Sequence, residues 1–414
     1  MSLTRGSISK SKLILIFLVL IPSSLAIMSF FSSKPENGAA NSIKPYVGVA
    51  FCGNTTAEAK QLIDKVKEYT NLFVLQSGPI SKNETAINII CDYAVASGLD
   101  FIVYFGWFDF EHPWQIPWLD FAKDRWGDSF LGLYLYDEPG GIQIDYDWTY
   151  LFQRIKEFYP SFYESIAQYI KGNVNGTVIR DYEEVKKRHI EYIVNDLQIN
   201  QLIDRSIKAF TADYALYWFD YLAGYDAVFV ELGWNHSTPK HIGLCRGAAN
   251  AQHKDWGAII VWNSLDPETD TKGVYKTAEE MLQDMLVAYE TGAKYVIIFN
   301  YPKNPPDNPY GILTEEHFAA LQQFWDHIQQ NPGEYGRTEA QVALVLPKDY
   351  GWGMRYPEDR IWGYWGPDEI SPQIWELSQY LLDQYGLALD IVHDDPTFPI
   401  EEIYQEIYYW NYTG

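Results

Sequence analysis

Residues 132–141 read GLYLYDEPGG, an alternating apolar segment that runs into two adjacent acids, Asp137 and Glu138, and then into Pro139, Gly140 and Gly141. Adjacent carboxylates repel, and neither residue favours a strand. The pair is therefore either a polar strand-end turn or a catalytic device. A further acid, Glu231, closes the segment DAVFVELGW (Asp226–Trp234). One protonated and one ionised carboxyl are what cleavage of a glycosidic bond needs, the first as acid to the leaving oxygen and the second as base or nucleophile. Glu138 is the expected general acid, with Glu231 or Asp137 as the second carboxylate. The bland alternative for Glu231 is a hydrogen bond to a neighbouring Tyr or Trp.

Side-chain phase supports the first reading. In Phe130–Glu138 the aliphatic set is Leu131, Leu133 and Leu135, which leaves Gly132, Tyr134, Tyr136 and Glu138 on the opposite face. In Asp226–Trp234 the aliphatic set is Val228, Val230 and Leu232, which puts Phe229 and Glu231 together. If the two segments are neighbouring strands of a barrel, both glutamates face its axis. Their carboxyls would then lie roughly 5–9 Å apart, a range that spans both glycosidase geometries.

Aromatic and amide residues gather at the same segment ends. The chain holds 15 Trp, 32 Tyr and 21 Phe, and many stand beside Gly, Pro and Asp rather than within apolar runs. Tyr136, Trp107 with Asp109, Trp234, Trp262 with Asn263, Asn300 with Tyr301, and then Trp352, Trp362 and Trp365 all follow candidate strands. Each alone is as easily explained by packing. Together they predict a groove with stacking faces and hydrogen-bonding groups, suited to a polyhydroxylated ligand.

The elements that must position these residues alternate strand and helix. Candidate strands are Tyr46–Gly53, Asn71–Gly78, Asp100–Phe108, Phe130–Glu138, Asp226–Trp234, Trp256–Ser264, Lys294–Pro302 and Ala340–Lys348. The stretch Arg205–Gly224 reads as a covering helix. The pattern predicts an α/β fold, a (β/α)8 TIM-like barrel over 44–348, with a helical insertion at 142–204 leaving the strand-four end. The rival is an open, doubly wound sheet, disfavoured because no GxGxxG or P-loop pattern follows the first strand. Leu387–Asp395 and Glu406–Asn411 also read as strands. Residues 349–414 are therefore either the last barrel helix or a small C-terminal α/β appendage that begins near 340 and leaves the barrel one strand short on this count.

Composition bounds the partners. A formal net charge of −24 over 414 residues repels nucleic acid and anionic lipid surfaces. Cys52, Cys91 and Cys245 lack metal-ligand spacing and the eight His are scattered, so no metal and no cofactor is expected. The expected partner is a carbohydrate or glycan substrate, and a membrane is expected to be engaged through the N-terminal segment only. There Arg5, Lys10 and Lys12 precede an apolar run from Leu13 that continues to Phe31. Residues 1–31 read as a signal peptide or an uncleaved membrane anchor, and 32–43 as a linker. Both predict an extracellular or cell-surface location. N-glycosylation sequons at Asn54, Asn83, Asn175, Asn235 and Asn411 agree with that.

The YDEP ending of strand four resembles the Asn-Glu-Pro ending of clan A glycoside hydrolases. The resemblance implies an acid/base role for Glu138, with Asp137 in the position that touches the sugar 2-hydroxyl. That clan carries its nucleophile at the end of strand seven, where the strand counted seventh here reads IIFNYP, without an acid. The adjacent Asp-Glu pair is also similar to hexosaminidases that use the substrate's own acetamido group. That likeness implies that Asp137 orients the acetamide, that Glu138 protonates the leaving oxygen and that Tyr301 assists. The reading from another class is a barrel that binds glycan or cell-envelope polymer without turnover, or a structural surface protein.

Overall fold

The computed structural model describes residues 45–146, 180–233, 236–261, 263–264, 274–300 and 310–412, with the backbone alone at 263–264 and 274–275. The expected leader and linker, sequons Asn175 and Asn235, and most of the first half of the insertion lie outside the described residues. Among the described residues no helix is long and apolar enough to cross a membrane.

Eight parallel strands close into a barrel in sequential order: β1 (Tyr46–Phe51), β2 (Leu72–Leu75), β3 (Asp100–Gly106), β4 (Phe130–Leu135), β5 (Ala209–Asp213), β6 (Ala227–Leu232), β7 (Asp255–Ile260) and β8 (Tyr295–Asn300). The connecting helices include α1 (Thr56–Val66), α2 (Glu84–Ala96), α3 (Gln115–Trp126) and, directly after the β4 turn, the short α4 (Pro139–Asp145). Beyond it come α5 (Tyr182–Glu191), α6 (Asn200–Ile203), α7 (Tyr217–Ala223), α8 (Thr238–Ala251), α9 (Ala278–Glu290), α10 (Glu315–Gln330) and α11 (Ser371–Tyr385). Local sequence fixes several starts. Thr55 with Glu58, and Thr277 with Glu280, form capping boxes that satisfy the free first-turn N–H groups of α1 and α9.

Two expectations are corrected. The fifth strand is Ala209–Asp213, inside the stretch read as a covering helix; only Tyr217–Ala223 of that stretch is helical. Ser206 and Leu216, both with positive φ, bracket the strand and stop a helix from running through it. The segment counted as strand eight is not a barrel strand. Its core, β9 (Val342–Leu346), pairs in parallel with β10 (Leu389–His393) and β11 (Glu406–Tyr409) in a separate three-stranded sheet. This is the C-terminal appendage. The segments expected as strands five, six and seven therefore become β6, β7 and β8.

The barrel interior is filled by Leu72, Val74, Ile102, Tyr134, Phe210, Phe229, Ile259, Tyr295 and Ile297. Phe210 stacks on Phe229 at 5.7 Å and meets Tyr295 edge-on at 5.4 Å, contacts worth about 0.5–1.5 kcal/mol each beyond burial. Leu133, Leu135, Val228, Val230 and Leu232 face the helices as the alternation predicts. Leu131 departs from its phase. A register shift between β3 and β4 brackets it, Gly132 takes φ +145°, and Leu131 packs against the interior group instead.

The appendage is bolted to the barrel by α8, the helix that follows β6. Arg246 on α8 is buried and donates to Asp390 of β10 at 2.8 Å. Asp390 also accepts from Asn250 and from the Tyr404 hydroxyl.

Candidate active site

The pleat of β4 stops at Leu135. Tyr136 and Glu138 both take positive φ, 58° and 53°, so a tight turn rather than strand alternation sets the directions of Asp137 and Glu138. Such angles cost side-chain-bearing residues about 1 kcal/mol or more and persist only where neighbours over-determine them. Here the neighbours are on β5. The Glu138 N–H donates to Ala212 O at 3.0 Å, and the Thr211 hydroxyl donates to Tyr136 O at 2.8 Å.

The turn sends the two acids to different places. Asp137 is held by the interior residue Tyr134, whose hydroxyl donates to its Oδ1, and by Gln76, just past β2, which donates a second hydrogen bond. Burial raises the Asp137 carboxyl to about 6 against the pull of those two donors. Glu138 reaches sideways to the end of β6, where its carboxyl hydrogen-bonds that of Glu231, which is 5% exposed. Burial, together with the charges of Asp137 and Asp213, pushes Glu138 up to about 8, opposed by the bond to Glu231. At neutral pH Glu138 is thus mostly an acid and Asp137 mostly a carboxylate.

An open cavity of about 510 Å³ lies beyond the ends of β2 and β3, lined among others by Ser81, Lys82, Tyr104, Trp107, Asp109 and Gln115; none of the three acids lines it. Tyr104 links it to Asp137, since it lines the cavity and packs edge-on at 5.3 Å against Tyr134, whose hydroxyl donates to Asp137. Trp107 is 52% exposed, an apolar face turned to water at the rim. Asp109 is tied locally to the Glu111 N–H and the His112 ring.

The predicted residues therefore divide. Asp137, Glu138 and Glu231 converge, with Tyr136 beside them, edge-on at 6.3 Å to Tyr192 of the insertion. Trp107 and Asp109 share the cavity. Asn300 is buried at the end of β8, its Oδ1 without a partner among the described residues. Tyr301, Trp234 and Trp262 lie outside the described residues, and Asn263 is described only by its backbone, which pairs with Tyr275. The expected contribution of Trp352 and Trp362 to a groove is corrected. They are 3% and 0% exposed, and the Trp362 ring packs 4.5 Å from Phe219. Both are core of the junction between barrel and appendage.

Sequence reasoning missed Asp213 and Asp220. Asp213 ends β5, is fully buried, and lies within reach of Glu138; Asp220, also fully buried, stands beside Asp213. Gly140 and Gly141 carried a signal for them. Two glycines just inside a helix start mark a place where other backbone or side-chain atoms come too close for a Cβ.

No family model and no curated protein matches the chain. Several solved barrel structures are similar to most of it at low identity. A glycoside hydrolase family 17 β-1,3-glucanosyltransferase from Rhizomucor miehei is 12% identical with a TM-score of 0.36, covering 66% of this chain and 94% of that one. An endo-1,4-β-mannanase from the same organism is 12% identical with a TM-score of 0.34, covering 69% and 95%. A 3-hexulose-6-phosphate synthase from Salmonella typhimurium is also 12% identical with a TM-score of 0.34, covering 68% and 99%. Glycoside hydrolases and a sugar-phosphate enzyme match equally well, so the likeness selects no activity; the chain is a (β/α)8 barrel on its own strand order.

Proposed function

We propose that this protein hydrolyses glycosidic bonds of a carbohydrate bound across the C-terminal mouth of the barrel. What carries the reading is the gathering of three acids, Asp137, Glu138 and Glu231, at one end of the barrel, where burial favours the protonated form of Glu138, together with a cavity walled by Tyr104 and Trp107 that reaches them through the packing of Tyr104 on Tyr134. Glu138 gives its proton to the leaving oxygen. Its contact with Glu231 means that substrate must part the two, with the glycosidic oxygen taking the place of the Glu231 carboxyl as hydrogen-bond acceptor. Glu231 and Asp137 then face the positive charge that develops on the sugar ring, water bonds to the anomeric carbon as the bond to the leaving oxygen breaks, and whichever of the two is ionised takes the proton that water loses. Trp107 offers a stacking face to a neighbouring sugar. The basic-flanked apolar run at 5–31 and the sequons support action outside the cytoplasm, secreted or held by the N-terminal segment.

The experiment is hydrolysis of an oligosaccharide panel by wild type and Glu138→Gln, with binding measured in parallel. Hydrolysis that falls by on the order of 10²–10⁴ in the variant, with binding retained, supports the proposal. A second reading, glycan binding without turnover, is favoured by the burial of Glu231, which at 5% exposed offers a substrate little surface. Binding by both proteins with hydrolysis by neither selects it.

A further inference from the structure

Asp213 stands outside the cavity and outside the carboxyl pair assigned to the reaction, yet its hydrogen bonds converge on the turn that carries Glu138. Its Oδ2 accepts from the Gly140 N–H at 2.6 Å. Its Oδ1 accepts from Gly141 at 2.8 Å, Tyr214 at 2.7 Å and Ala215 at 3.0 Å. Gly140 and Gly141 belong to the first turn of α4, whose N-terminal N–H groups have no partner within the helix. A residue preceding a helix commonly caps these donors with its own side chain. Glu138 occupies that position and makes no such bond. Asp213 does the capping from the next strand, which frees the Glu138 side chain to point at Glu231.

The approach is possible only without side chains on the turn. A Cβ on Gly140 would stand 2.4 Å from Ala215 O, and one on Gly141 would stand 2.2 Å from the Tyr214 ring. Four N–H donors on two oxygens are satisfied best by a carboxylate, because a proton on Oδ2 would compete with the Gly140 bond. The acids facing Asp213 are Glu138 and Asp220, with the Tyr217 hydroxyl nearby. Asp213 and Asp220 cannot both be ionised at this depth. With its four donors Asp213 is the one that ionises first, although burial raises it to about 7, and Asp220, whose oxygens have no hydrogen-bond partner among the described residues, is the one that keeps the proton.

We propose that Asp213 is a positioning residue for the Glu138 acid: its carboxylate, held by four amide donors, fixes the left-handed turn that aims Glu138. The charge this places near Glu138 works against loss of the Glu138 proton. This rests on the reading of Glu138 as the acid, but one of the two measurements below does not depend on hydrolysis. The first follows the titration of Glu138 by carbon NMR of protein labelled at the glutamate carboxyls, with the Glu138 signal identified by its loss in Glu138→Gln. The second is kcat and KM on whichever sugar the wild type cleaves.

Asp213→Asn is expected to move the Glu138 titration to lower pH. It is also expected to lower kcat on the order of 10²-fold while KM changes by less than about threefold. Asp220→Asn, whose amide can donate to Asp213, is expected to keep the Glu138 titration at least as high as in the wild type. An unmoved Glu138 titration in Asp213→Asn overturns the proposal, as does a kcat loss matched only by loss of folded protein. If the wild type cleaves no sugar, the hydrolytic reading falls, and the titration still decides the role of Asp213. If Asp213→Asn does not fold, the wild type labelled at aspartate and glutamate carboxyls carries the test. Glu138 and Asp213 must each show a second inflection at the other's midpoint; two independent single inflections overturn the proposal.

Discussion

Arg355 grips Asp145, at the far end of α4, with both terminal nitrogens, at 2.6 and 2.7 Å, while the same guanidinium holds buried Asp359 at 2.7 Å. The helix that begins at the Glu138 turn is thus held at both ends, by Asp213 at its start and by the 349–366 loop at its finish. Gln143, within it, donates to Trp362 O at 2.9 Å. Rigid support at both ends is what a group needs if it must meet substrate within about half an ångström.

Stability should fall as pH rises from about 6.5 to 8. Glu138, Asp213 and Asp137 have folded-state values of about 8, 7 and 6, above their ordinary 4.5, 3.8 and 3.8. The native state therefore binds more protons than the unfolded chain across that interval, so the unfolding free energy declines as pH increases. Buried His189, His241 and His393 and half-buried His236 are shifted down, His189, His236 and His393 to about 4, and contribute the opposite slope, but only up to their ordinary 6.5. Melting temperature measured across this range should decline in the wild type and decline less in Glu138→Gln.

Gly140→Ala should destabilise the protein by roughly 1–3 kcal/mol, because the added methyl meets a backbone carbonyl that cannot move aside cheaply. Gly78→Ala, with nothing within 4 Å of the new Cβ, is the matched control and should change stability by less than about 0.5 kcal/mol. Urea denaturation of the two variants makes the comparison.

Arg246→Met strands Asp390 in the interior and should cost about 3–5 kcal/mol. Replacing both partners with apolar residues should recover a large part of that loss. Chemical denaturation of the single and double variants gives both numbers.

Trp107→Ala should leave the melting temperature within about 2 °C of the wild type, because half the side chain is already in water. If the rim face stacks on sugar, oligosaccharide binding should weaken roughly three- to tenfold. Calorimetric titration with the ligand best bound by the wild type distinguishes this from a Trp with no ligand role, which would leave affinity unchanged.

Long periodic elements were legible in the sequence. Strands β1 to β4 and β6 to β8, and helices such as Glu315–Gln330 and Ser371–Tyr385, carry enough apolar residues in phase to be read directly. β5 was not legible. Ala209–Asp213 is five residues long, AFTAD, with one aromatic and one β-branched residue, and it sits directly before an aromatic helix that absorbs it into one apparent pattern. Its loss from the count displaced every later strand number and hid Asp213. The sequence expectation put Glu138 and Glu231 on neighbouring strands of a continued pleat; β5 lies between β4 and β6, and two residues of left-handed backbone that no period-two pattern encodes set the direction of Glu138. The burial of Trp362 was illegible for a related reason: Gly, Pro and Asp neighbours suggest a surface loop, and only the packing of the appendage against α7 makes that loop interior.

β4 and β5 share only two backbone register pairs, Leu133 with Ala209 and Tyr134 with Phe210. Above them the seam is closed by the turn and the acids themselves, through Ala212 N–H to the Tyr134 hydroxyl at 3.1 Å, Glu138 N–H to Ala212 O, and the glycine amides to Asp213. The barrel's weakest join is therefore stitched by the groups that would do its chemistry. A lineage that abandoned its substrate would still be selected to keep most of them, so an inactive descendant of this fold would wear the same motif as a working one.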